Sequence, residues 1–74
     1  MIQFEEKKEC YFNADPDQIF FVKSSDHYVW ALVKSNPENK WMTRHCTLKE
    51  IQEMLPRDQF IRLNRFYLVN RKLF

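Results

Sequence analysis

Seventy-four residues with no break in composition argue for one small domain, which carries a formal net charge of +2 and seven Phe, three Tyr and two Trp from which to build a core. No run approaches the ~18 apolar residues of a membrane span and the N-terminus lacks the basic stretch and apolar core of a signal peptide, so the cytoplasm is the expected compartment. The chain has no glycine, which excludes a glycine-rich phosphate loop, and its two cysteines, Cys10 and Cys46, read as buried thiols rather than a disulfide framework.

In chain order, residues 1–8 are polar apart from Ile2 and Phe4 and alternate weakly, which reads as a frayed strand or a loose arm. Residues 9–13 add Cys10, Tyr11 and Phe12 as a short extended piece. Ala14, Asp15, Pro16 and Asp17 form a turn: Pro16 fixes its own φ and keeps Asp15 out of the helical region. Residues 19–22 and 28–33 are apolar runs joined by a polar segment, the pattern of an antiparallel hairpin whose loop comprises Lys23, Ser24, Ser25, Asp26 and His27. A turn over residues 35–39 then leads into a strand over residues 41–44. Without glycine, positive φ in these turns should fall to Asn, Asp or Ser.

Thr47 opens the one convincing helix. Its hydroxyl can accept from the Glu50 backbone N–H while Glu50 reaches back, a capping box. Leu48, Ile51 and Leu55, with Met54 beside them, line one face, and Pro56 ends the run. The opposite face carries Lys49, Glu50, Gln52 and Glu53, a charge mixture unsuited to a helix lying in DNA.

The stretch over residues 60–70, FIRLNRFYLVN, is the centre of the chain. Phe66 and Leu68 alternate with Tyr67 and Val69, so both faces of this strand are apolar and a place inside the core is expected. Polar groups flank it: Arg62, Asn64 and Arg65 before, Asn70, Arg71 and Lys72 after. Charge is distributed to match, with a balance of −3 over residues 1–18 and +4 over residues 57–74. An arginine at the mouth of such a strand can donate in parallel to guanine O6 and N7 or to phosphate oxygens, and an asparagine can pair with adenine. The competing reading is an ordinary solvated basic face with a surface Arg and a turn Asn.

Other chemistries find less support. Cys10, His27, His45 and Cys46 are the only soft ligands, and none stand at the spacing of a zinc knuckle, so no metal or other cofactor is expected. Cys46 beside His45 is sequence adjacency without a triad, and no enzyme is expected. Trp30, Trp41, Phe20 and Phe21 could stack bases, but their places within strands assign them to the core.

FIRLNRFYLVN resembles the central signature of the LytTR family of bacterial DNA-binding domains, matching it at Phe60, Arg62, Arg65, Val69 and Asn70. Asn64 and Phe66 stand where the family often has His and Ser. The preceding TLKEIQEMLPRDQF and the earlier DQIFFVKSSDHYVWALV are similar to the family's helix-and-turn and strand-pair segments. The resemblance implies a mostly β fold, with small antiparallel sheets and one short α-helix, in which loops rather than a helix enter DNA. It implies a sequence-specific, cytoplasmic transcriptional regulator, related to response regulators, that contacts double-stranded DNA through Lys23, Ser24, Ser25 and His27 in one loop, Asn64 and Arg65 in another, and Arg71 and Lys72.

Family members usually continue for another strand pair beyond Val-Asn, so the final strands are expected to be missing and the chain to be a stand-alone or excised domain spanning residues 1–74. An uncovered strand edge would favour a homodimer or a strand-exchanged oligomer. The alternative function is a protein–protein module that dimerises with and modulates a full-length relative.

Overall fold

In the computed structural model, which describes residues 1–73, the β-branched and aromatic side chains draw about half of the chain into strands. The elements in order are β1 (Ile2–Lys7), β2 (Cys10–Ala14), a 3₁₀ turn (Pro16–Gln18), β3 (Ile19–Ser25), β4 (Tyr28–Val33), β5 (Lys40–Arg44), α1 (Leu48–Met54), β6 (Phe60–Arg62) and β7 (Tyr67–Asn70). All pairings are antiparallel and give the order β2-β1-β5-β4-β3-β7-β6. The class is the one indicated by the sequence, mostly β with one short helix. Its strands join in a single sheet instead of dividing into several small ones.

The N-terminal segment is more than an arm. Ile2 and Phe4 of β1 are buried, and β1 pairs with β2 through Ile2 opposite Ala14 and Phe4 opposite Phe12. Two apolar side chains at period two suffice here because the hairpin satisfies the backbone on one side and β5 meets it on the other. Its turn contains Glu9 at φ 62°, and the β3–β4 turn contains Asp26 at φ 48°. Asp26 is of the expected type; Glu9 falls outside it.

The β3–β4 hairpin is tighter than the sequence suggests. Ser25 is paired opposite Tyr28, so the loop expected over residues 23–27 shrinks to Asp26 and His27, and Lys23 and Ser24 lie within the strand. β7 runs antiparallel on the other side of β3, with Phe21 opposite Val69, Val22 opposite Leu68 and Lys23 opposite Tyr67. The Ser24 N–H donates to the Phe66 carbonyl at 2.8 Å, extending that pairing toward the turn.

One face of the sheet is sealed. Val22, Val29, Ala31, Met42 and Leu68 pack there against Leu48 and Ile51 of α1 and against Leu55. Complete burial of each Val, Leu, Ile or Met side chain contributes about 1.5–3 kcal/mol. The helix begins as its sequence dictates: Thr47 Oγ1 accepts from Glu50 N at 3.1 Å and Thr47 N donates to Glu50 Oε1 at 2.9 Å. The Thr47 backbone N–H, with the Thr47 hydroxyl beside it, holds the Glu50 carboxyl below the usual carboxylate range. Met54 points outward.

The other face is open. Cross-strand register places Ile61, Val69, Phe21, Leu32 and Trp41 in one row, and Tyr67, Lys23, Trp30, Thr43 and Glu5 in the next. Trp30 and Trp41, which strand position assigns to the core, are 40% and 46% exposed, and Tyr67 is 38% exposed. A single seven-residue helix covers one side of a seven-stranded sheet, and nothing among the described residues covers the second. The two-sided apolar pattern of β7 therefore does not mean two buried faces: Leu68 is sealed, while Tyr67 stays at the surface. Cys10 is likewise exposed rather than buried, and Cys46 is half-buried, with desolvation pushing its thiol pKa up.

Candidate nucleic-acid interface

Antiparallel pairing decides which loops meet. Because β3 ends beside the start of β7, the Asp26–His27 turn and the loop before β7 emerge from the same end of the sheet. In the order β4-β3-β7-β6 the centres of these two loops are two strand spacings apart, about 10 Å. That is within the ~12 Å width of a B-DNA major groove.

The loop preceding β7 is built by its own side chains. Asn64 Oδ1 accepts from the N–H groups of Phe66 at 2.8 Å and Tyr67 at 3.1 Å, which folds residues 64–67 into a side-chain-capped turn. Arg62 holds the loop from beneath: Nε donates to the Asn64 carbonyl at 2.9 Å, Nη2 to the Arg65 carbonyl at 3.4 Å, and Nη1 to Gln52 Oε1 on α1 at 3.0 Å. The Arg65 side chain is exposed, and its guanidinium has no hydrogen-bond or ion-pair partner among the described residues. Its guanidinium carbon lies 5.3 Å from the centre of the Phe66 ring, an arrangement that stiffens the side chain without using its donors.

Asn64 therefore has its acceptor committed inside the protein. Reading adenine needs that acceptor together with the amide donors, so the residue acts on the loop before it can act on a base. Arg62 does the same from the preceding strand. Its significance lay hidden in the sequence, where it reads as one more basic residue.

The adjacent turn exposes Asp26 and His27. The His45 ring, directly after β5, lies 6.4 Å from the His27 ring and 5.1 Å from Tyr28, centre to centre. Sequence reasoning missed His45 as a neighbour of His27; the signal is the β4–β5 register, in which Val29 faces Arg44. Arg44 Nη1 donates to the Gln3 carbonyl at 2.9 Å, while its buried Nε has no partner. Asp26, His27, His45, Cys46 and Glu50 border one shallow depression, but among the described residues no three His, Cys, Asp or Glu side chains are arranged to hold a metal ion.

The remaining sequence candidates divide. Ser25 is exposed beside the turn, whereas the Ser24 N–H is spent on Phe66. Lys23 stands on the open face with its Nζ 6.0 Å from the Trp41 ring centre. Arg71 and Lys72 lie beyond the far end of β7, separated from the Arg65 loop by the length of that strand, about 10 Å at the rise of an extended chain. There Arg71 Nη1 donates to the Asp58 carbonyl at 3.3 Å, and Lys72 Nζ stands 3.7 Å from Asp17. Asn70, fully buried at this end, donates to the carbonyls of Pro16 at 3.2 Å and Ile19 at 2.9 Å and accepts from the Lys72 N–H at 3.0 Å. No helix among the described residues is long and apolar enough to cross a membrane.

A family model described as LytTr DNA-binding domain matches residues 9–73. No curated protein and no solved structure matches the chain.

Proposed function

Since the chain belongs to the family of LytTr DNA-binding domains, we propose that it is a sequence-specific transcriptional regulator whose two adjacent loops read one face of a duplex. The family is a DNA-binding one and not an enzyme family. The observation that carries the reading is Arg65: an exposed guanidinium without an internal partner, on a loop fixed by Asn64 and Arg62, next to the exposed His27 turn. A preorganised arginine loses little freedom on contact and can donate in parallel to guanine O6 and N7. His27 and Ser25 supply donors and acceptors to a neighbouring base edge or phosphate. Asn64 supports this contact set chiefly by shaping the loop, and Lys23 contributes positive potential from the side.

Arg71 and Lys72 stand outside this contact set, since they lie at the opposite end of β7, where Arg71 Nη1 meets the Asp58 carbonyl and Lys72 Nζ faces Asp17 across an exposed pair. In this reading the chain acts in a bacterial cytoplasm, as an output domain akin to those of response regulators, and engages repeated half-sites as a dimer. Selection of bound sequences from a random duplex pool tests it. A consensus should emerge, and binding to it should weaken linearly in log–log terms as salt rises. A pool without enrichment, or affinity indifferent to salt, would overturn the proposal.

A further inference from the structure

We infer that Phe66 is a specificity-determining residue, which reads the C5-methyl group of a thymine next to the base pair that Arg65 contacts. The inference rests on the proposed DNA reading and deepens it, by naming a base that the Arg65 loop selects. Phe66 is 51% exposed and stands outside the buried core. A single exposed ring is ordinary on a protein surface; the setting of this one is not. Its backbone is pinned on both sides, since its N–H donates to Asn64 Oδ1 at 2.8 Å and its carbonyl accepts from the Ser24 N–H of the neighbouring hairpin at 2.8 Å. The ring is thus held out in water at a fixed place, at the junction of the two loops proposed to meet DNA.

The adjoining guanidinium selects what covers the ring. It lies 5.3 Å from the ring centre, so the ring and the unengaged donors of Arg65 form one surface and reach a duplex together. Successive base pairs stand ~3.4 Å apart along the helix axis. With the guanidinium on O6 and N7 of a guanine, the ring therefore falls beside a neighbouring pair. A phenyl ring has no donor or acceptor to offer. Most of what the base edges present in the major groove is hydrogen-bonding atoms, which lose water against such a ring and gain nothing in return. The thymine methyl is the one apolar substituent there, and covering it gains free energy for both surfaces. The expected element is a thymine and a guanine at neighbouring positions.

Base-analogue substitution tests it in the duplex selected from the random pool, with affinity read by fluorescence anisotropy. Deoxyuridine in place of thymine removes the methyl group alone. At one thymine neighbouring a guanine, this change should weaken wild-type binding about fourfold, the effect of uncovering one buried methyl group. Cytosine in the same place should also weaken binding, and 5-methylcytosine should recover about fourfold of that loss. Phe66→Ser, with its folding established by circular dichroism, should bind the thymine and deoxyuridine duplexes equally. Should that variant fail to fold, the wild-type complex decides, through a nuclear Overhauser effect between the Phe66 ring protons and the thymine methyl protons. A consensus in which every thymine tolerates deoxyuridine, a Phe66→Ser chain that keeps the fourfold preference, or a complex without that Overhauser effect would overturn the inference and leave the DNA reading standing. A pool without enrichment would remove both.

Discussion

At one end of β7 stand Asn64 and Arg65, at the other Asn70, Arg71 and Lys72, so the same residue types bracket the strand. Asn70 is sealed in the core, where its amide nitrogen ties β7 to the 3₁₀ turn and to the start of β3 and its oxygen accepts from the Lys72 N–H. Asn64 is at the surface and uses its oxygen to shape a loop that leaves Arg65 unengaged. What separates the structural end from the proposed binding end is therefore where the donors go, and composition alone does not reveal it. Basic residues whose donors are already used internally add potential; those held rigid and unengaged can read a partner.

The comparison breaks most visibly at Asn70. Asn70→Ala leaves two carbonyls and an N–H without their partner, and should lower the unfolding free energy by roughly 2–3 kcal/mol, read as a lower urea midpoint at unchanged m-value. Arg65→Ala should do the reverse. Its effect on stability should stay within about 0.5 kcal/mol while affinity for a selected duplex falls by about 1–3 kcal/mol, measured by fluorescence anisotropy.

A smaller effect probes what supports the binding end. Arg62 reaches Gln52 on α1, so loosening that helix should loosen the loop. Thr47→Ala should cost about 1 kcal/mol of stability through loss of the cap, measured by urea unfolding. Acid should remove the same support. The Glu50 carboxyl is held below its ordinary value of 4.5, so its contribution is present above that pH and is lost as pH falls through the lower folded-state value. Glu50→Gln keeps a hydrogen-bonding side chain but cannot titrate, and should flatten the acid limb of the stability profile. Smallest of all, Lys72→Ala should change stability by no more than about 0.5 kcal/mol, because its ion pair with Asp17 is solvent-exposed, and should leave duplex affinity nearly unchanged.

Much of this architecture is legible from local signals. The capping box at Thr47 and Glu50 starts the helix, and the polar break between two apolar runs makes the β3–β4 hairpin. Other features depend on tertiary pairing. Ile2 and Phe4 become core only because β2 and β5 flank β1, and His45 approaches His27 only through the register of β4 and β5. The open aromatic face was hidden for a different reason. Phe21, Trp30, Trp41 and Tyr67 carry the apolar pattern of buried strands, yet the described residues supply one short α-helix, and that helix packs on the other side. At the candidate interface, the sequence marked Arg65 and His27 but treated Asn64 as a reader. Hydrogen bonds two and three residues along the chain recast it as the residue that shapes the loop.

The most direct measurement is titration of an isotope-labelled chain with duplex DNA at low salt, following backbone amide resonances. The account predicts shifts concentrated at residues 25–28 and 63–66, with little change at Asp58, Arg71 and Lys72. Shifts centred on that opposite end of β7, or spread over residues 1–18, would contradict it.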